Sequence, residues 1–251
     1  MDPSAGAGIL RDVMTLAALG VHPMAVSTAD TVQNGLVCLA IRPPRNPLPV
    51  FDALVPHLGG AWGVKLGLCA LEPGTLRDLA TRLETQGPAA RIWDPILAPT
   101  SGVGLHDAGG LRAMAGLLLR SGPWVVSPNL LEAAALAGLP RDADPASLGR
   151  PLLEMGAEAV WLKGGHGAGD TVEDFWITAS GALSLGRKAR LPGDRRGTGC
   201  TLAAAWLGFR LRGLEGPEAA SAAAGFLRDA WEPGARPGGQ GRPCFAPAVR
   251  A

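Results

Sequence analysis

The sequence predicts an α/β protein, a mostly parallel sheet covered on both faces by helices. Short, wholly apolar runs alternate with helix-forming stretches, among them Ala90–Asp94 (ARIWD), Trp124–Asn129 (WVVSPN) and Ala159–Gly165 (AVWLKGG). Strands apolar on both sides need cover on both faces, which parallel sheets receive from crossover helices. The chain has 251 residues, 47% of them hydrophobic, ample for a packed core. That length suits one large α/β domain, so residues 1–251 are read as a single domain, with an Arg/Pro/Gly-rich tail after about 232 expected to be loosely structured.

The elements follow in order. Ala7–Leu19 carries Ile9, Val13, Leu16 and Leu19 at three- and four-residue steps, the mark of an amphipathic helix. Gly20 ends it, and Met24–Ala29 (MAVSTA) is β-prone. Residues 42–50 (RPPRNPLPV) form a proline-rich loop, followed by a helical Phe51–Leu58 and a strand at Gly63–Leu68. Helices are expected at Leu76–Glu84, Leu111–Leu119, Leu131–Ala137 and Leu148–Met155, between the apolar strands. Asp174–Gly186 reads as a hairpin, and helices cover about Gly199–Arg212 and Pro217–Trp231.

Composition excludes several classes. A net charge of +1 gives no general nucleic-acid surface and no polybasic membrane patch. Glycine (36) and proline (22) are abundant, but there is no three-residue repeat, which excludes collagen. Tyrosine is absent, so no chemistry here uses a phenol. Cys38, Cys69, Cys200 and Cys244 form no CxxC pair and no cluster with the histidines, against a zinc site or a disulfide framework. The first residues lack a basic region followed by an apolar core, and Val13–Ala29 is interrupted by Gly20, His22 and Pro23. No secretory signal or membrane span is read, and a cytoplasmic protein is expected.

In open parallel sheets, ligands bind outside the carboxyl ends of the strands. The residues expected there are Lys65-Leu66-Gly67, Asp94-Pro95, Ser127-Pro128-Asn129, Lys163-Gly164-Gly165-His166 and the loop before Gly197. The strongest signal is Gly197-Thr198-Gly199-Cys200-Thr201, where glycines end a loop and an Ala/Leu-rich helix begins. Free N–H groups at a helix start, together with its dipole, favour an anion such as phosphate. A first-turn Cys200 is expected to have a stabilised thiolate and a lowered pKa. The plain alternative is a tight turn with Cys200 as a small apolar residue. Asp94, at a strand end, and Glu132, at a helix opening, are the candidate carboxylates for Mg²⁺. Glu132 also reads as a capping acid. Lys163, one of only three lysines, stands beside two glycines where a phosphate charge would be met. Neither GxxxxGK[ST] nor GxGxxG at a strand end is present, against a P-loop or dinucleotide site.

Together these segments resemble the hydroxymethylpyrimidine/phosphomethylpyrimidine kinase family of thiamin biosynthesis, in the ribokinase-like superfamily. The likeness runs in order over most of the chain. Asp2–Ile9 is similar to that family's DPSGGAGI, Ala18–Val21 to ALGV, and Thr31–Gly35 to TAQNT. Lys65–Leu68 resembles KIGM, Asp94–Leu97 with Thr100–Gly102 resembles DPVM…SG, and Ser127–Ala133 resembles TPNLPEA. Lys163–His166 matches KGGH and Gly197–Leu202 matches GTGCTL. The resemblance implies a ribokinase-like three-layer α/β/α fold and transfer of the ATP γ-phosphoryl group to a pyrimidine hydroxymethyl or to its phosphate. It implies Cys200 as base and the amides of Gly197, Thr198, Gly199 and Cys200 as anion hole. It implies Gln33 on the pyrimidine ring, with Ala7, Gly8, Asp12, Thr31 and Leu68 around it. Asp94, Glu132, Asn129 and Lys163 would serve Mg²⁺ and the nucleotide, and a homodimer is expected.

The departures are specific. The family opens with a strand of the form LTIAGSD that has no counterpart in this sequence; either the start of the chain is misassigned or the sheet lacks that first strand. The family's TKNTH before GTGC is here Pro192-Gly193-Asp194-Arg195-Arg196, and Arg196 is expected to supply charge to the nucleotide phosphates. The C-terminal GxGPVHHF pattern is reduced to Gly239–Phe245. Two other readings stay open: a non-catalytic pyrimidine-binding protein, and a kinase of another hydroxymethyl heterocycle such as pyridoxal.

Overall fold

The computed structural model describes residues 2–34, 36–97, 106–166, 169–231, 234–235 and 244–245. The Thr100–Gly102 motif and most of the Gly239–Phe245 pattern lie outside them.

Six strands form the central sheet in chain order: β3 (Gly63–Leu66), β4 (Ala90–Trp93), β5 (Val125–Val126), β6 (Ala159–Leu162), β7 (Thr171–Thr178) and β8 (Gly181–Ala189). The first four are parallel; β7 and β8 turn back as an antiparallel hairpin. Every residue of β4, β5 and β6 is buried, as expected for strands covered on both faces. One face packs on α3 (Pro73–Gln86), α4 (Ala108–Leu118), α5 (Leu130–Ala137) and α6 (Pro145–Glu154), through Leu79, Leu83, Leu111, Leu118, Leu136, Leu148 and Leu152. The other face packs on α7 (Thr198–Leu211) and α8 (Gly216–Asp229), through Trp206, Leu207, Ala220 and Leu227. The three-layer α/β/α reading holds.

The N-terminal part departs from expectation. α1 (Gly8–Ala18) forms, but Met24–Ala29 joins no strand ladder among the described residues. It is tied instead at one end, where the Ala70 N–H donates to the Thr28 carbonyl and the Thr28 hydroxyl to the Leu68 carbonyl. A strand exists only where a neighbour pairs with it, and among the described residues β3 is the sheet edge, paired with β4. Next come β1 (Asp30–Gln33) and β2 (Cys38–Arg42), an unforeseen antiparallel hairpin forming its own two-stranded sheet. The proline-rich stretch gives way at Leu48 to α2 (Leu48–Leu54).

The tail was expected to be loose. Its described residues form a short ladder between β9 (Gly234–Ala235) and β10 (Cys244–Phe245), and Cys244 bridges back to Arg196. No helix among the described residues is long and apolar enough to cross a membrane.

Candidate active site

The carboxyl ends of β3, β4 and β6, the start of α7, the N-terminal turn and β1 enclose one cavity of about 920 Å³. The sequence-derived site residues Ala7, Gly8, Asp12, Thr31, Gln33, Leu68, Asp94, Asn129, Glu132, Lys163 and Gly197–Cys200 all line it. The glycine turn and Gln33, 164 positions apart in sequence, therefore face one space.

The turn is built by its glycines. Gly197 caps α7 with φ +77°, and a Cβ there would lie 2.3 Å from the Gly6 carbonyl oxygen. Only glycine accepts both conditions. Thr198, Gly199 and Cys200 are the first three helical residues, whose N–H groups have no intrahelical acceptor. A Cβ on Gly199 would touch the Asp94 carboxylate at 3.4 Å and Lys163 Nζ at 3.5 Å, so this glycine keeps the floor open.

Cys200 is buried, and the Gly8 N–H points at its sulfur at 3.4 Å. The expected lowering of its pKa is not found. Burial pushes the thiol up to about 11, a rise that nearby Lys65 and the Gly8 N–H reduce and that Asp12 and Asp94 enlarge. Desolvation of a thiolate outweighs one helix dipole.

Two buried lysines flank the turn. Lys65 Nζ, at the end of β3, contacts Asp12 Oδ2 at 2.7 Å, and Lys163 Nζ contacts Asp94 Oδ1 at 2.7 Å. Burial alone would lower both amines. For Lys65 the surrounding Asp12, Cys200 and Asp94 carry it above its ordinary value, and for Lys163 Asp94 and Glu132 do so. Both stay cationic. Lys65 was absent from the residues predicted to act, although it is one of three lysines and stands at a strand end. Rarity and placement were the signals that could have found it.

Glu132 and Asn129 form a capping box at the start of α5. The Asn129 side chain accepts from the Leu131 and Glu132 N–H groups at 2.9 and 3.0 Å, and Glu132 Oε2 accepts from the Asn129 N–H at 2.9 Å. The capping reading of Glu132 thus holds structurally, while its side chain also lines the cavity. Burial and the neighbouring Asp94 raise its carboxyl to about 7, against the lowering effect of Lys163. Asp94 and Glu132 could together hold one hard divalent cation beside phosphates, which for Mg²⁺ takes only one or two carboxylates. Among the described residues no group of three or more His, Cys, Asp or Glu side chains is placed to hold a metal ion.

Arg196, expected to meet the nucleotide phosphates, also lines the cavity. Its guanidinium is buried beneath the N-terminal turn, with Nη2 3.0 Å from Asp2 Oδ2 and 3.3 Å from Gln33 Oε1, and Nη1 3.0 Å from Ser4 Oγ. Its charge is paired with Asp2, on the Gln33 side of the cavity. The side chain of His166 is not described.

A ribokinase-like α/β/α fold in which an open helix start, two buried lysines and two carboxylates face one cavity belongs to the small-molecule kinase class. The comparisons agree. The family model for phosphomethylpyrimidine kinase matches residues 2–244, and the chain belongs to that family. It is 33% identical over 234 residues to the hydroxymethylpyrimidine/phosphomethylpyrimidine kinase of Rhizobium meliloti (strain 1021), covering 91% of this chain and 86% of that relative. The crystal structure of phosphomethylpyrimidine kinase from Clostridium difficile 630 superposes with a TM-score of 0.74 at 25% identity, covering 92% of this chain and 95% of that one. Pyridoxal kinase from Staphylococcus aureus, in complex with AMP-PCP and pyridoxal, shares the fold at a TM-score of 0.79 and 24% identity, covering 94% and 86%. The protein is a phosphotransferase.

Proposed function

We propose that this chain, as a single cytoplasmic domain, transfers the γ-phosphoryl group of ATP to 4-amino-5-hydroxymethyl-2-methylpyrimidine, to its monophosphate, or to both, in thiamin biosynthesis or salvage. The observation that carries the reading is the shared cavity: the Gly197–Cys200 turn and Gln33 open onto one space, with Cys200 beside the N-terminal turn. Family membership and the named relatives support it.

Phosphoryl transfer asks the protein mainly for positioning and for positive charge around the migrating group. Gln33 and Thr31 orient the ring, with Ala7, Gly8, Asp12 and Leu68 beside it. The acceptor oxygen attacks the γ-phosphorus, the bond from that phosphorus to the ADP oxygen breaks, and the acceptor's proton passes to the Cys200 sulfur in its thiolate form, the thiol having first released its own proton to water. When the acceptor is already a phosphate, it arrives ionised and no base is needed. The amides of Gly197, Thr198, Gly199 and Cys200 hold the equatorial oxygens, and Lys65 and Lys163 add fixed charge. Asp94 and Glu132 would hold Mg²⁺, which supplies charge neutralisation on the nucleotide phosphates; Asn129 stands beside them. No disulfide joins Cys38, Cys69, Cys200 and Cys244, which suits a reducing compartment. The hairpin of β1 and β2 exposes Val32, Leu36, Val37 and Leu39, an apolar patch that supports a homodimer.

The test is ADP formation by the folded chain with each pyrimidine and with pyridoxal. Turnover of a pyrimidine with little on pyridoxal is expected. No turnover with either pyrimidine overturns the proposal.

A further inference from the structure

The sequence made Arg196 a phosphate ligand, but its surroundings give it another task. It directly precedes the anion turn, and its guanidinium is only 3% exposed. Asp2, itself 1% exposed, neutralises it. The Asp2 carboxylate also accepts from the Ser4 N–H at 3.0 Å, the Ser4 hydroxyl at 2.7 Å and the Ala7 N–H at 3.0 Å. Gly6 leaves room for the arrangement, since a Cβ there would lie 2.8 Å from Arg196 Nη1. The guanidinium is thus held by Asp2 and Ser4, and one of its N–H groups reaches Gln33 Oε1 at 3.3 Å.

The other end of the same amide is also tied. Gln33 Nε2 donates to Thr31 Oγ1 at 2.8 Å. A guanidinium nitrogen can only donate, and it does not lose its proton in a protein. The end of the Gln33 amide facing Arg196 must therefore be oxygen, because a flipped amide would set two donors against each other. Each end keeps one further site, a second lone pair on Oε1 and a second hydrogen on Nε2. Gln33 thus offers an acceptor and a donor in a fixed order.

We infer that Arg196, acting through Gln33, makes this kinase select a ring bearing an amino group beside an unprotonated ring nitrogen over the corresponding oxo ring. The amino N–H meets Oε1 and the bare ring nitrogen meets the Nε2 hydrogen. An oxo ring with a protonated nitrogen presents the reverse order, and binding it would require the flip that Arg196 blocks. Sites built to hydrogen-bond their substrate reject the mismatched analogue because buried groups are left unpaired. Arg196 is a positioning residue in this scheme. The inference rests on the proposed function only in taking Gln33 as the residue that meets the ring.

The experiment compares kcat/KM for 4-amino-5-hydroxymethyl-2-methylpyrimidine and its 4-oxo counterpart in the full chain, in Arg196→Met and in Thr31→Val. The unchanged chain is expected to favour the amino ring by about a thousandfold or more. Arg196→Met should lower that preference about ten- to hundredfold, chiefly by narrowing the gap in KM between the two rings. A merely structural role would slow both rings alike and leave the ratio intact. Thr31→Val removes the second tether without stranding the buried Asp2 charge. It should relax the ratio several-fold, and it decides the matter if Arg196→Met does not fold. Turnover of the amino ring with an unchanged ratio in the folded variants overturns the inference alone. Failure of the unchanged chain on both rings overturns the kinase reading, and this one with it.

Discussion

Cys200 concentrates two opposing effects within one turn of helix. The free amides of α7 and the cation of Lys65 favour a thiolate, while burial disfavours it more strongly and leaves the pKa at about 11. In the resting protein the sulfur carries its proton. Alkylation by iodoacetamide at neutral pH should therefore be slow compared with an exposed thiol, and a rate at or above that of free cysteine would contradict the buried geometry. The linkage has a definite sign. A thiol whose folded pKa exceeds its unfolded value holds its proton longer in the native state, so stability falls as pH rises from about 8.5 toward 11. Cys69, also raised to about 11 by burial, adds to the same trend. Urea melts across that range check it, and a midpoint that rises with pH would count against it. Cys200→Ala should lower kcat on the hydroxymethyl substrate about 10²- to 10⁴-fold and affect the phosphate acceptor less, since that acceptor needs no base. Steady-state kinetics with the two substrates make the comparison.

At the scale of elements, α7 and α5 both begin at the site, but they bind their ends differently. α7 starts at a bare glycine turn and leaves its first amides open, whereas α5 satisfies its own through the Asn129–Glu132 box. Asn129 therefore has a structural task besides any contact with nucleotide, and substitution separates the two. Asn129→Ala should cost about 1 kcal/mol through the lost cap, whereas Asn129→Asp keeps the cap. If Asn129 also meets the nucleotide, the aspartate variant should fold normally and show a raised KM for ATP; a normal KM assigns Asn129 to capping alone. α7 is buried along Cys200–Gly208 and carries Trp206, stacked on Trp176 of β7 with ring centroids 6.2 Å apart. Trp206→Ala should destabilise the fold by about 3–5 kcal/mol, measured by denaturant unfolding. The loss falls on the helix that presents the anion turn, so residual activity should fail at lower temperature.

Over the whole molecule, the site depends on contacts between distant parts of the chain. The Lys65–Asp12 pair ties β3 to α1, Lys163–Asp94 ties the end of β6 to that of β4, and Arg196–Asp2 ties the α7 turn to the N-terminal turn. A ligand that spans these elements binds the native state alone and stabilises it by mass action. Mg·ATP and the aminopyrimidine should each raise the melting temperature, as a shift-assay titration would show. A shift with the pyrimidine and none with Mg·ATP would instead favour a binding protein without catalysis.

The sequence alone determined the layer order and the residues that gather at the sheet's carboxyl edge. Buried parallel strands are apolar on both faces, and Ile92, Trp93, Val125, Val126, Val160 and Trp161 announce themselves by composition. The glycine turn was equally legible, because φ +77° at Gly197 and its approach to Gly6 leave no other residue type. Only the tertiary structure decided that Met24–Ala29 joins no ladder, the β1–β2 hairpin, the thiol's protonation and the allegiance of Arg196. A strand depends on a neighbour, a pKa on how much water is removed, and a guanidinium on which carboxylate folding brings to it. None of these is a property of a residue's place in the chain; each arises when segments far apart in sequence share the same few ångströms.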